Sequence, residues 1–274
     1  MSLQLQRPKD LRRPLQSGRL GIALLAAIGW FCLVWLCLAF PTRNAAQAAE
    51  AEIGLRLVPP YVMENEGGAL HGLEYELVRD VLAAAGHDLK ARILPLGRLI
   101  EDFRRGRIGA FVPANPTMNL PGAFSDILLV YNNIGLSLHA RSVQADRADT
   151  LRGLRILAFQ NATRLLPGFL DIQERNPDYL EVADQVLQVR ALFASRADLI
   201  VGERRILRAL IALPHSGIDT TAVLREHALF PPTEYRVVFA DARLRDDFNR
   251  ALARYKADGS YDRALGRYDA PPMR

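Results

Sequence analysis

Cysteine is missing from residues 50–274, because Cys32 and Cys37 both fall in the amino-terminal stretch. The longer part therefore has no disulfide, no thiolate nucleophile and no cysteine-built metal site. Its five histidines, His71, His87, His139, His215 and His227, include no i, i+4 ligand pair, and neither a metal nor a cofactor is expected. A Walker loop, a dinucleotide glycine fingerprint and a nucleophile elbow are also absent. Beyond the amino-terminal stretch there is no net charge. Residues 1–49 hold Arg7, Lys9, Arg12, Arg13, Arg19 and Arg43 against Asp10 alone, which accounts for the whole formal charge of +5. A neutral body without a basic stripe is a poor match for a phosphate backbone, so no nucleic-acid partner is expected. The run Arg104-Arg105-Gly106-Arg107 is short and reads as a solvated helix end.

What is present begins with a leader. The basic stretch Arg7 to Arg19 precedes an uncharged run from Leu20 to Pro41, and the small-residue segment Ala45–Ala49 contains an Ala-x-Ala site, Ala46-Gln47-Ala48. That order is the pattern of a secretory signal, with cleavage after Ala48. The competing reading is an uncleaved anchor, since the run can span the ~30 Å hydrocarbon core. Either way residues 1–48 direct the body across the inner membrane into the periplasm, with the basic flank kept inside. Trp35-Leu36 before Cys37 does not fit a lipoprotein cleavage site.

Half of the chain is hydrophobic by composition, enough for a sizeable core. Its pattern alternates between strand and helix. Ile53–Val58 alternates as a strand and stops at Pro59-Pro60. Leu73, Leu77, Val81 and Ala85 mark a helix ending at Gly86. Ala91–Leu94 is a strand, Leu96–Phe103 a helix, and Ile108–Val112 a strand closed by Pro113. The pattern restarts with a strand at Leu154–Phe159, a helix from Thr163 to Ile172, and a strand at Tyr179–Val182. A helix at Val186–Ala194, a strand at Asp198–Val201 and a helix at Glu203–Leu213 follow. Tyr235–Phe239 is a late strand before two helices divided at Gly259. Such alternation requires crossover connections and a mostly parallel sheet in each unit.

Five segments in order carry a resemblance. They are Pro59-Pro60-Tyr61 with Gly72–Leu77; Leu94–Ile100 leading to Arg105–Gly109; Phe124-Ser125-Asp126; Leu151–Leu154 with Gln160–Thr163 and Ser195–Glu203; and Tyr255–Tyr261. The ordered set resembles the type II periplasmic solute-binding proteins, the extracellular solute-binding family 3 that includes receptors of polar amino-acid ABC transporters. The resemblance covers about Glu52 to Tyr268. It implies an α/β fold of two lobes, each with a mostly parallel sheet, joined by two hinge strands near Val130–Ser137 and Phe230–Arg236. Lobe 1 would be residues 52–131 plus 235–274, and lobe 2 residues 137–230. A small molecule would be trapped between them at the carboxyl ends of the strands. ABC permease subunits in the inner membrane would be the partners, and a monomer is the default.

The same resemblance implies site residues. Tyr61 is a candidate for packing on the ligand, or a core tyrosine. Arg98 is a candidate carboxylate clamp, or a solvated helix-start arginine. Asn115 and Thr117 follow the third strand, as ligand donors or as turn residues beside Pro113 and Pro116. Asn161 and Thr163 lie where a strand enters a helix, a place that suits an anion or an ordinary cap. Glu203 matches the acid that receives an α-amino group, or is a helix-start acid favoured by the dipole.

Several positions depart from the family's pattern. Thr117–Gly122 lacks the usual basic residue, Leu96 stands for an aromatic, Gly109 for an acid, and Glu203 for the commoner aspartate. The α-amino-acid clamp is thereby incomplete. Three functions fit: a periplasmic receptor for a small polar, amino-acid-like solute, not an enzyme; a membrane-tethered sensory or accessory module of the same fold; and a dehydratase-like enzyme using Glu203 as general acid.

Overall fold

The structure, a computed structural model, describes residues 49–269. The leader segment, whether cleaved or retained, lies outside them. Among the described residues no helix is long and apolar enough to cross a membrane.

Strand β1 (Ala49–Leu55) is followed by a two-strand ribbon, β2 (Met63–Glu64) and β3 (Leu70–His71). Helix α1 (Leu73–Ala84) then buries Leu73, Leu77, Val78, Val81 and Leu82, the apolar stripe that i, i+4 spacing places on one face. Its start depends on Gly72 at φ 119, where a Cβ would lie 2.6 Å from the Tyr61 carbonyl oxygen. Next come β4 (His87–Ile93), α2 (Leu96–Arg104) and β5 (Ala110–Ala114). β4 and β5 flank β1 in parallel. Pro113 was expected to close the third strand but lies within β5. Ladder pairing skips it at a register shift opposite Arg236 and Val238, so its missing N–H leaves no gap in the ladder.

After β6 (Ala123–Phe124) and β7 (Leu129–Tyr131) the chain enters a second sheet. There β8 (Asn133–Leu138), β9 (Ile156–Phe159), α3 (Ala162–Leu165), α4 (Phe169–Arg175), β10 (Tyr179–Val182), α5 (Val186–Phe193), β11 (Leu199–Glu203), α6 (Arg204–Ile211) and β12 (Leu224–His227) form the order β10-β9-β11-β8-β12. The single helix expected from Thr163 to Ile172 is two, because Pro167-Gly168 lies between them and Gly168 takes φ 72. Then β13 (Thr233–Phe239) returns to the first sheet, where the order is β4-β1-β5-β13-β6, before α7 (Ala242–Ala257) and α8 (Ser260–Gly266).

Each sheet thus holds three parallel strands and an antiparallel contribution from the crossing segments. The crossings pair with each other: β7 and β13 run antiparallel, Tyr131 opposite Thr233 and Leu129 opposite Tyr235. One apolar cluster extends from Ile53, Leu73 and Phe239 in the first unit to Leu136, Val189 and Leu207 in the second, and a separate cluster around Phe169 and Leu199 lies within the second.

Candidate functional site

The carboxyl ends of β1, β9 and β11 and the paired crossing strands surround a small chamber. Arg56, Tyr131 and Tyr235 face it from the first unit, and Asn133, Gln185 and Glu203 from the second. Its free volume is about 40 Å³, room for a few waters. Arg56, Leu96, Phe159, Gln160 and Gln185 also border a wider cleft of about 720 Å³ that leads outward.

Arg56 comes directly after the last residue of β1, so the strand aims it at the junction. Its Nε is buried without a hydrogen-bond partner, and its charge acts on Glu74, Tyr131 and Tyr235 around it. Glu74, on the first turn of α1, is fully buried. Burial pushes its carboxyl up to about 7, against the opposing pull of Arg56 and of the Tyr131 hydroxyl. That hydroxyl donates to Glu74 Oε2 at 3.4 Å. Tyr131 stacks on Tyr61 at 4.5 Å and meets Tyr235 at 4.4 Å, so three aromatic rings pack at the crossing.

Glu203 lines the same chamber from the other unit. It is the N-cap of α6, and its Oε2 accepts the Ile206 N–H at 3.0 Å. Oε1 accepts the Asn132 N–H at 3.4 Å, which ties the acid to the first crossing. Burial raises its pKa, opposed by the Ile206 N–H and by Arg205. Arg205 itself reaches Asp269 through Nε at 3.1 Å and Nη2 at 2.7 Å.

Of the residues inferred from sequence, Glu203 lines the chamber and Asn161 the outer cleft. Tyr61 is fully buried in the core, with burial and Glu203 raising its phenol pKa and Arg205 opposing. Its hydroxyl points towards Glu203 and Arg205 without completing a hydrogen bond. Arg98 is half-exposed on α2 and pairs with the buried Asp102 at 3.2 Å, lining neither space. Asn115 is buried and accepts the hydroxyl of the exposed Thr117 at 2.6 Å.

The strand-to-helix corner expected to hold an anion already holds one from the chain. Glu181 accepts the Asn161 N–H at 2.6 Å, and the Thr163 N–H, the Thr163 hydroxyl and the Tyr179 hydroxyl each at 2.9 Å. These donors bring its pKa below the usual carboxylate range despite partial burial. Sequence reasoning missed Arg56, Tyr131, Tyr235 and Asn133. The rule that ligands gather at carboxyl strand ends pointed as well to Arg56 as to Tyr61 five residues later, and the loop turned inward at the arginine.

Neither a known family's sequence profile nor a curated protein matches the chain. Solved structures do. An ancestral arginine-binding protein bound to arginine superposes with TM-score 0.67 at 15% identity, over 82% of this chain and all of that one. An amino-acid ABC transporter substrate-binding protein of Streptococcus pneumoniae bound to L-arginine gives TM-score 0.65 at 12%, over 80% and 94%. A histidine kinase sensor domain with similarity to periplasmic binding proteins gives 0.69 at 16%, over 83% and 99%. The structural neighbours thus include substrate-binding proteins of amino-acid ABC transporters and a sensor domain. At these identities the likeness establishes the fold, that of the two-lobed type II periplasmic binding proteins.

Proposed function

We propose that the chain is an extracytoplasmic receptor, not an enzyme, that captures a small zwitterionic, amino-acid-like solute between its two lobes and presents the closed form to a membrane partner. The observation that carries this reading is that the chamber is lined by opposite charges from its two sides, Arg56 from one unit and Glu203 from the other. A guanidinium receives a carboxylate in a planar, two-point geometry, and a buried carboxylate receives an ammonium. Contacts to both units exist only when they are closed, so ligand shifts the equilibrium towards closure by that difference in affinity.

The partner in this proposal is an ABC permease in the inner membrane, with the body a periplasmic monomer and residues 1–48 a cleaved signal. The sensor-domain neighbour supports a second reading, in which residues 1–48 stay as an anchor and closure is transmitted to a signalling partner. The amino terminus of protein purified from membranes and from periplasm separates the two.

A thermal-shift screen of amino acids, opines, polyamines and organic acids tests the receptor. A ligand at one hundred times its Kd stabilises the folded state by about 2.7 kcal/mol, a readily measured rise in melting temperature. Arg56→Gln and Glu203→Gln each weaken the hit at least tenfold, while Arg98→Gln does not. A screen with no hit removes the receptor reading.

A further inference from the structure

We infer that the outer cleft is the side-chain pocket of this receptor, and that its ligand is a zwitterion with a large aliphatic or aromatic side chain, not a cationic or acidic one. This rests on the receptor reading and names its ligand class.

The cleft of about 720 Å³ begins where the chamber ends, at Arg56, Leu96 and Phe159. A head group held between Arg56 and Glu203 therefore directs the remainder of the molecule into it. Its walls are mostly apolar, with Val58 and Pro59 from the loop after β1, Ile93 and Leu94 from the end of β4, and Leu210 from α6, while Gln160, Asn161 and Gln185 add uncharged polar groups. Its charged lining residues are Arg56, already assigned to the head group, and Asp184. Asp184 is exposed, and its carboxylate accepts the Val186 N–H at 2.9 Å. A guanidinium in the cleft thus meets only a solvated carboxylate and a second carboxylate meets no cation beyond Arg56, and a charge enclosed without a partner costs several kcal/mol in real proteins.

Two large apolar side chains at the mouth point the same way. Leu57 and Leu213 both line the cleft, yet remain 46% and 43% exposed. An apolar ligand group removes both from water, at ~25 cal/mol for each Å² of apolar surface covered. Glu181 fixes the orientation. It takes the Asn161 and Thr163 N–H groups, so a ligand carboxylate at that corner would have to displace it. The carboxylate goes to Arg56, on the opposite unit.

Isothermal titration of the full-length protein tests the inference with L-phenylalanine, L-tryptophan and L-leucine against L-arginine and L-glutamate. Two further probes each lack one head-group charge: 4-methylpentanoate and 3-methylbutylamine. The apolar amino acids are expected to bind at least tenfold more tightly than arginine or glutamate, and than either single-charge probe. Leu213→Glu and Leu57→Glu, both at exposed positions, are expected to weaken leucine or phenylalanine binding about tenfold with the melting temperature of the free protein unchanged.

Equal or tighter binding of arginine or glutamate overturns the inference. So does undiminished apolar affinity in the variants, or a single-charge probe that binds as well as its amino acid. If a ligand of another class binds instead, the side-chain inference fails while the receptor reading stands. If nothing in the wider screen binds, both fail.

Discussion

Glu74 shows how one buried acid ties the stability of the fold to its site. It has no exposure, one hydroxyl donor at 3.4 Å, and an Oε1 without a partner. Its carboxyl rises from 4.5 to about 7 because burial outweighs Arg56 and Tyr131. The folded protein therefore keeps a proton that the unfolded chain gives up at lower pH. The associated stability is whole below about 4.5 and is lost as pH rises through about 7. The shift corresponds to about 3 kcal/mol. Glu74→Gln removes this dependence, so its melting temperature should gain on wild type between pH 5 and pH 8. A constant difference across that range would show that Glu74 ionises freely. The same titration acts on the neighbouring arginine. Protonated Glu74 leaves the Arg56 charge uncompensated, and a ligand carboxylate should bind more tightly at pH 6 than at pH 8. None of this was legible in the sequence, where Glu74 was part of a motif and Arg56 an ordinary charge within the expected strand Ile53–Val58. Burial is set by residues distant in the chain, Tyr131 and Tyr235 among them.

Among the elements, those set by local periodicity were legible and those set by pairing across the fold were not. Helix α1 falls on its expected residues because its apolar stripe and Gly86 are local signals. Strand β12 was not read as a strand, and β8 only through the family resemblance, within the hinge strand near Val130–Ser137, since both owe their place to antiparallel pairing between Leu138 and Leu224 and their neighbours, far apart in the sequence. Helix α3 lies between these cases. Its four residues are too few to hold a helix by propensity, and it is fixed instead by Glu181 from β10. That carboxylate satisfies backbone donors at 2.6 and 2.9 Å and joins the ends of two parallel strands. Glu181→Ala leaves those N–H groups without their acceptor and is expected to cost about 2 kcal/mol in urea denaturation. Faster amide exchange at Asn161 and Thr163 should accompany the loss. Unchanged stability and exchange would mean that solvent replaces the carboxylate without cost.

Over the whole molecule, the two sheets meet at the crossing strands and again at a contact on the far side of Glu203. Arg205 at the start of α6 reaches Asp269, beyond α8, through two nitrogens. The first residue belongs to the second unit and the other to the carboxyl-terminal segment that packs on the first, so separating the units breaks the pair. Asp269 is more than half exposed, which keeps such a pair to about 1 kcal/mol. That suffices to change an open–closed ratio about fivefold at ordinary temperature. The chamber, at about 40 Å³, holds a few waters, less than the ammonium and carboxylate of an amino-acid head group need. On the receptor reading proposed above the units part to admit ligand, and the pair then acts as a latch on the closed form. Asp269→Asn weakens the latch without touching the chamber. Its free form should show a larger radius of gyration by small-angle X-ray scattering and faster ligand association, and saturating ligand should return it to the wild-type dimension. If scattering and association rate both match wild type, the closed form owes nothing to this pair, and the apolar contact between the units must hold it alone.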